Sequence, residues 1–337
     1  MRRTSTWILA LGVLAAALVY LGVAREEPGF GVMLRWLASC CGGEPVDPLH
    51  AYTLLQIRLP RLLVAACGGA ALALAGAVMQ ATFRNPLASP DLVGTAAGAA
   101  FGGALAIVTG LAALGVAAAP ACALAGALVV TAAMFGLAHA HGRFAIATLL
   151  LAGIALNTLV GALTSFVVTF TFDNYTASSR VLFWLMGGLE GRTWEHAGIT
   201  AAGCVVFALL ANARRRDLDV LTLHDDVAHS LGVATHATRR WLVVCACGLT
   251  ATTVCNTGGI VFVGLVVPHL ARLLVGPSHR VLLPAAALLG ALLLVVSDQA
   301  CRLAPPDWNL RLGVVTALLG TPYFLWLLAR HRRGELA

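Results

Sequence analysis

The sequence predicts an all-α polytopic membrane protein of about ten transmembrane helices, each span needing roughly 20 apolar residues. Three observations predict it. Of 337 residues, 59% are hydrophobic and only 11% are charged, against about 25% charged in a soluble domain. The mean hydropathy is +0.87. The shortage of charge runs the whole length of the chain, so residues 1–337 read as a single transmembrane domain. No linker is long enough to separate two soluble domains.

The spans follow in order. Residues 7–24 form an apolar run behind Arg2 and Arg3, too long for a signal peptide and without a convincing small-x-small cleavage site. Residues 61–82 lie between Arg58-Leu-Pro-Arg61 and Arg84-Asn-Pro. Pro90 introduces the span 93–111, because proline is tolerated where a helix opens. Residues 115–137 and 145–171 are the next two apolar runs, and 196–213 ends at Arg214-Arg215-Arg216. Only Gly258-Gly259 separates 240–257 from 259–275, and Pro268 is expected to interrupt the second. Residues 281–300 and 311–329 complete the set. Gly68, Gly69, Ala73, Gly76, Gly94, Gly98, Gly102, Gly103 and Gly126 are spaced to let helices approach closely. Arg61-Leu-Leu-Val-Ala-Ala-Cys-Gly is echoed in Arg240-Trp-Leu-Val-Val-Cys-Ala-Cys-Gly. Those two spans would run in opposite directions, as an inverted repeat requires.

Arginines orient the spans. Arg2, Arg3, Arg84, Arg143, Arg214 to Arg216, Arg239, Arg240, Arg280, Arg330, Arg332 and Arg333 fall in alternate connections. By the positive-inside rule those connections and both termini are cytoplasmic. The opposite loops carry Glu26, Glu27, Glu44, Asp47, Asp173, Glu190, Glu195 and Asp307, with Trp36, Trp184, Trp194 and Trp308 as interface anchors.

Composition also excludes. All 22 basic residues are arginine. Without lysine there is no P-loop ATPase in this polypeptide and no lysine Schiff-base chemistry. The net charge of +7 suits a cytoplasmic membrane surface and needs no nucleic acid. Most of the nine cysteines lie in apolar runs and behave as small hydrophobes. Cys245-Ala-Cys247 admits packing or a metal pair, and packing is the expectation. Histidines His139 and His141 do not share a helix face. His50 and His196 admit two readings, haem iron ligands in transit or free loop histidines. Few charges fall in mid-span, which argues against a self-powered secondary transporter. That alternative predicts transport without ATP. A membrane enzyme would need a nucleophile–base or metal constellation, and none is legible.

Three segments carry candidate chemistry. Arg58, Arg61 and Arg302 mark one face, where they either snorkel to the interface or form a docking patch for an acidic partner. Arg84-Asn-Pro-Leu-Ala-Ser-Pro90 is a stiff turn on the other face, and its apolar Leu87 invites a packing or gating role. Leu221, Leu223, Val227, Ala228 and Leu231 fall at near-helical spacing, with His224, Asp225, Asp226 and His229 between them. A short amphipathic helix there fits either a partner groove or the membrane surface.

Together these segments resemble one family, the membrane permease of type II ABC importers for iron-siderophore, haem and cobalamin, often called FecCD-like. The likeness covers about residues 52 to 330. It rests on Ile57-Arg-Leu-Pro-Arg61, Gly76-Ala-Val-Met-Gln80, Arg84-Asn-Pro-Leu-Ala-Ser-Pro90, Leu149-Leu-Leu-Ala-Gly-Ile154 and Phe183-Trp-Leu-Met-Gly-Gly188. It continues through Ala228-His-Ser-Leu-Gly232, Val263-Gly-Leu-Val-Val-Pro-His-Leu-Ala-Arg272, His279-Arg-Val-Leu-Leu-Pro284 and Gly313-Val-Val-Thr-Ala-Leu-Leu-Gly320.

The resemblance implies a ten-helix subunit paired with a second copy in a bacterial inner membrane. Two separate ATP-binding cassette subunits would use ATP and Mg, and a periplasmic binding protein would deliver the substrate. No cofactor is implied for this chain. Arg58, Arg61 and Arg302 would meet glutamates of the binding protein. Asn85, Leu87, Ala145 and Ile146 would form the cytoplasmic gate. Leu221, Leu223, His224, Asp225, Asp226, Ser230, Leu231 and Gly232 would couple to the ATPase. Haem is the first expected cargo, with ferric siderophore or cobalamin as alternatives. The chain departs from the family at Gly258-Gly-Ile-Val-Phe262, usually Gly-Pro-Ile-Gly-Phe, and at Arg311, usually a proline. Arg311 is expected to add charge to the outer vestibule.

Overall fold

A computed structural model describes residues 2–23, 29–42, 46–140, 146–171, 174–223 and 225–332, and these contain helices and no strand. Helix α1 (Arg2–Gly22) is followed by the shorter α2 (Gly29–Cys40) and α3 (Pro48–Tyr52). A π-helical turn over Thr53–Arg58 leads into α4 (Leu59–Phe83). Next come α5 (Thr95–Val108), α6 (Ala118–Ala140), α7 (Ile146–Thr169), α8 (Tyr175–Met186), α9 (Trp194–Ala213) and α10 (Arg215–Leu221). Then follow α11 (Asp225–Ser230), α12 (Thr235–Thr257), α13 (Val263–Val275), α14 (His279–Leu303) and α15 (Leu312–Arg332).

Each expected span falls on one of these helices, namely α1, α4, α5, α6, α7, α9, α12, α13, α14 and α15. Among the described residues 5 helices are long and apolar enough to cross a membrane: Pro48–Phe83, Ala118–Leu137, Thr148–Thr169, Trp194–Ala213 and His279–Leu303. Shorter apolar helices occur at Thr6–Gly22, Thr95–Val108, Val263–Val275 and Leu312–Leu327. Helix α12 has 23 residues but is rich in threonine. It is buried among α4, α5, α6 and α9, and its hydroxyls bond backward along the helix. Thr250 donates to the Ala246 carbonyl at 2.9 Å, and Thr253 donates to Leu249 at 2.9 Å. Such back-bonding satisfies hydroxyls where no water is available. The 12-residue helices α2 and α8 lie between the expected spans, and 12 residues are too few to span a bilayer.

Pro268 does not interrupt its helix. α13 runs through it. The carbonyl a residue at 268 would normally address is that of Gly264, and that carbonyl lies against Gly76 of α4. The break comes earlier, where Gly258 at φ 68° and Phe262 at φ 68° reverse the chain between α12 and α13.

Helix α4 is the centre of the bundle, packed against α9, α12, α13 and α14. Its contacts are backbone to backbone. A methyl group on Gly69 would collide with the Gly290 carbonyl of α14, and one on Gly76 with the Gly264 carbonyl of α13. The pair α5 and α6 is built likewise, Gly98 against Gly126 and Gly102 against Cys122. Small residues thus replace a hydrophobic driving force that lipid cannot supply. Gly68, near the start of α4, meets Thr253, near the end of α12. The echoed segments therefore run in opposite directions, as expected of inverted halves.

Candidate functional site

The fold gathers polar chemistry at its two ends. At the first, α1 ends beside the start of α4 and the end of α14. Asp298 is 1% exposed and accepts three hydrogen bonds. The Arg61 guanidinium forks onto it, Nε to Oδ2 and Nη2 to Oδ1, both at 2.8 Å. The Tyr20 hydroxyl donates to Oδ2 at 2.5 Å. Helix α1 leaves its last carbonyls unpaired, and cationic or amide donors cap them. Arg58 donates to the Leu21 carbonyl at 2.9 Å and Arg302 to that of Tyr20 at 3.0 Å. Gln299 donates to Val23 at 3.0 Å. The Arg302 guanidinium also lies 4.5 Å from the centre of the Tyr20 ring.

Arg58, Arg61 and Arg302 thus come together as expected, but each is held by acceptors within the chain. Arg58 is buried. Asp298 had no candidate role in the sequence, and Tyr20 carried no signal. Their partnership links residues more than 200 positions apart in sequence, with |i−j| of 278 for Tyr20 and Asp298.

A second cluster adjoins this end. The Trp194 indole donates to the Leu55 carbonyl at 3.1 Å, which ties α9 to the π turn before α4. His196 is buried and caps α9, its Nδ1 meeting the Thr193 amide at 3.2 Å. It also lies 3.3 Å from Arg192. It is therefore not a free loop histidine, because the open amides of a helix start have claimed it. Trp184 is not an interface anchor either. It is buried over Gly103 and donates to the Ala100 carbonyl at 3.2 Å. Arg311, just before α15, pairs with Glu190 and stacks on Phe183, 3.6 Å from the ring centre. Phe183, Trp184, Glu190, Arg192 and Arg311 line a cavity of about 200 Å³.

The other end holds the stiff turn. α4 closes at Arg84, whose φ of 49° is left-handed. Asn85 accepts the Leu87 amide on Oδ1 at 2.9 Å, an Asx turn that fixes the half-buried Leu87. Asn157 of α7 donates to the Asp91 carbonyl at 2.8 Å, so α7 leans on the turn. Ile146 opens α7, whereas Ala145 lies outside the described residues.

The coupling segment meets this turn. Arg84 Nε donates to the Leu221 carbonyl at 2.7 Å. Residues 221–232 are not one amphipathic helix, however. Leu221 is buried as the last residue of α10, and α11 is a separate single turn closed by Gly232 at φ 79°. His224, between them, lies outside the described residues. Asp225 and Asp226 open α11, and Ser230 closes it with its hydroxyl on the Val227 carbonyl at 2.8 Å. Leu223, Val227 and Leu231 are exposed while Ala228 is buried. An apolar face is therefore presented outward. Below it, Asp219 caps α14 by accepting the His279 amide at 2.8 Å.

A helical bundle with close-packed backbones, a charged network at one end and a rigid turn tied to an exposed apolar segment at the other is the architecture of a polytopic membrane protein. The chain belongs to the FecCD transport family, whose model matches residues 6–330. It is thus a transport permease subunit rather than an enzyme. It is 42% identical over 275 residues to a cobalamin import system permease of Halobacterium salinarum, covering 81% of this chain and 72% of that one. It is 40% identical over 326 residues to the Fe(3+) dicitrate transport system permease FecD of Escherichia coli, covering 96% and 97%. Among solved structures, an inward-facing metal-chelate type ABC transporter matches with a TM-score of 0.84 and 30% identity, over 96% of this chain and 98% of that one.

Proposed function

We propose that the chain is the membrane-spanning permease subunit of an ATP-driven importer, passing an iron chelate or cobalamin-type cargo across a bacterial inner membrane by alternating access. The Asp298 end would face the periplasm and a substrate-binding protein. The Arg84 end and both termini would face the cytoplasm and two ATP-binding cassette subunits, with a second copy completing the path. The relatives named for cobalamin and for ferric dicitrate support the cargo class. Haem belongs to the same class of large metal chelates. An acidic side chain of the binding protein would reach the partly exposed edges of Arg61 and Arg302 rather than the buried Arg58.

One observation carries the mechanism. The 2.7 Å bond from Arg84 to the Leu221 carbonyl joins the Asn85–Leu87 turn to the end of α10, next to the exposed Leu223, Val227 and Leu231. A partner seated on that apolar face would move the turn through this bond. Such a device works only if the partner contacts differ in strength between the two states.

The test is reconstitution in liposomes with the ATPase and a loaded binding protein. Arg84→Gln should lower ATP-driven uptake roughly tenfold, the scale of one coupling free energy, while the ATPase still assembles. Uptake that proceeds without ATP would overturn the importer reading, and undiminished uptake by the variant would overturn the coupling route.

A further inference from the structure

The cavity at the Asp298 end has an unbalanced charge. Its lining includes three arginines, Arg180, Arg192 and Arg311, against one carboxylate, Glu190, an excess of two positive charges. Phe183 and Trp184 supply the apolar wall. Arg311 is 9% exposed and stacked on Phe183, so its plane is fixed. It pairs with Glu190, whose own side chain is 58% exposed. The Nε atoms of Arg192 and Arg311 are buried and have no hydrogen-bond acceptor within the chain. Buried donors are ordinarily satisfied, and each guanidinium brings five of them in a planar fork that matches a carboxylate.

We infer that this vestibule is a carboxylate-binding subsite, through which the permease favours anionic chelates over uncharged cargo. The inference rests on the importer reading and narrows its substrate. Glu190 holds Arg311 while the site is empty of cargo. An incoming carboxylate exchanges with Glu190, which is free to swing outward because it is exposed, and pairs with the edges of Arg311 and Arg192 that line the cavity. The exposed Arg180 stands at the rim and draws the anion in. A carboxylate could also come from an acidic side chain of the binding protein. The recessed position of Arg311 suits a small ligand, and the test separates the two.

The experiment is equilibrium dialysis of the full-length permease in detergent, without the binding protein. Ferric dicitrate is the anionic probe and cobalamin the probe lacking carboxylates. Arg311→Gln and Arg180→Gln should each weaken ferric dicitrate binding roughly tenfold and leave cobalamin unchanged. Because Arg180 is exposed, its variant tests the charge even if the Arg311 variant fails to fold. Glu190→Gln should act in the opposite direction and tighten ferric dicitrate binding. Absence of saturable ferric dicitrate binding, weakening by Glu190→Gln, or unchanged binding by both arginine variants would each overturn the subsite. ATP-driven, binding-protein-dependent uptake that shows no preference for the anion would overturn the subsite and leave the importer reading standing.

Discussion

Replacing Asp298 with alanine is expected to destabilise the bundle by about 3–5 kcal/mol, the cost of stranding one partner of a buried ion pair. The carboxylate is 1% exposed and accepts the Arg61 fork and the Tyr20 hydroxyl. With it gone, a guanidinium whose side chain is 16% exposed keeps its charge and loses its counter-ion. Tyr20→Phe removes a single hydrogen bond to a charged group and should cost roughly 1.5–3 kcal/mol. The double variant Asp298→Leu with Arg61→Leu should recover much of the loss, because a buried pair is often replaceable by packed hydrophobes without penalty. Thermal unfolding of the purified protein in detergent reads all three. A single-variant loss below about 1 kcal/mol would place the pair among weak surface bridges and refute the assignment.

That network shows where sequence reading stops. The spans were legible because lipid demands long apolar runs, and that demand is local. Even the weakest pair of spans, divided only by Gly258-Gly259, came out as α12 and α13. Partner choice is not local. Nothing near Arg61 says that its acceptor is Asp298, or that α1 needs Arg58 and Arg302 to cap its last carbonyls. An arginine pattern at a span end reads equally as snorkelling, docking or capping, and the carbonyls that Arg58 and Arg302 cap lie on α1, far away in sequence. The segment 221–232 failed for a related reason. Its apolar spacing is helical, but Leu221 is claimed by the core through α10, so the period spans two elements. The short helices α2 and α8 were missed because a search for spans discards any run too short to cross. By contrast the Asn85–Leu87 turn was legible as a rigid turn, since Asx chemistry is contained in three residues.

Gly76→Val should be more damaging than any ordinary core substitution. Overpacking usually costs about 1–3 kcal/mol because side chains can shift aside. Here the neighbour of the added carbon is the Gly264 carbonyl and its own backbone, so α4 and α13 must separate along their contact. The expected result is a loss beyond about 3 kcal/mol, seen as little or no monodisperse protein on extraction. Gly76→Ala should already lower the unfolding midpoint measurably, since the clash begins at the β-carbon. Gly198 of α9 is the control. It is exposed and a β-carbon there meets nothing within 4 Å, so Gly198→Ala should be neutral or stabilise by up to about 1 kcal/mol through helix propensity. Equal behaviour of the two alanine variants would mean that α4 and α13 are not in backbone contact. The contrast matters for transport because α4 runs from the Asp298 network to the Arg84 turn. A bundle loosened along α4 would lose the rigid link through which either end can bias the other.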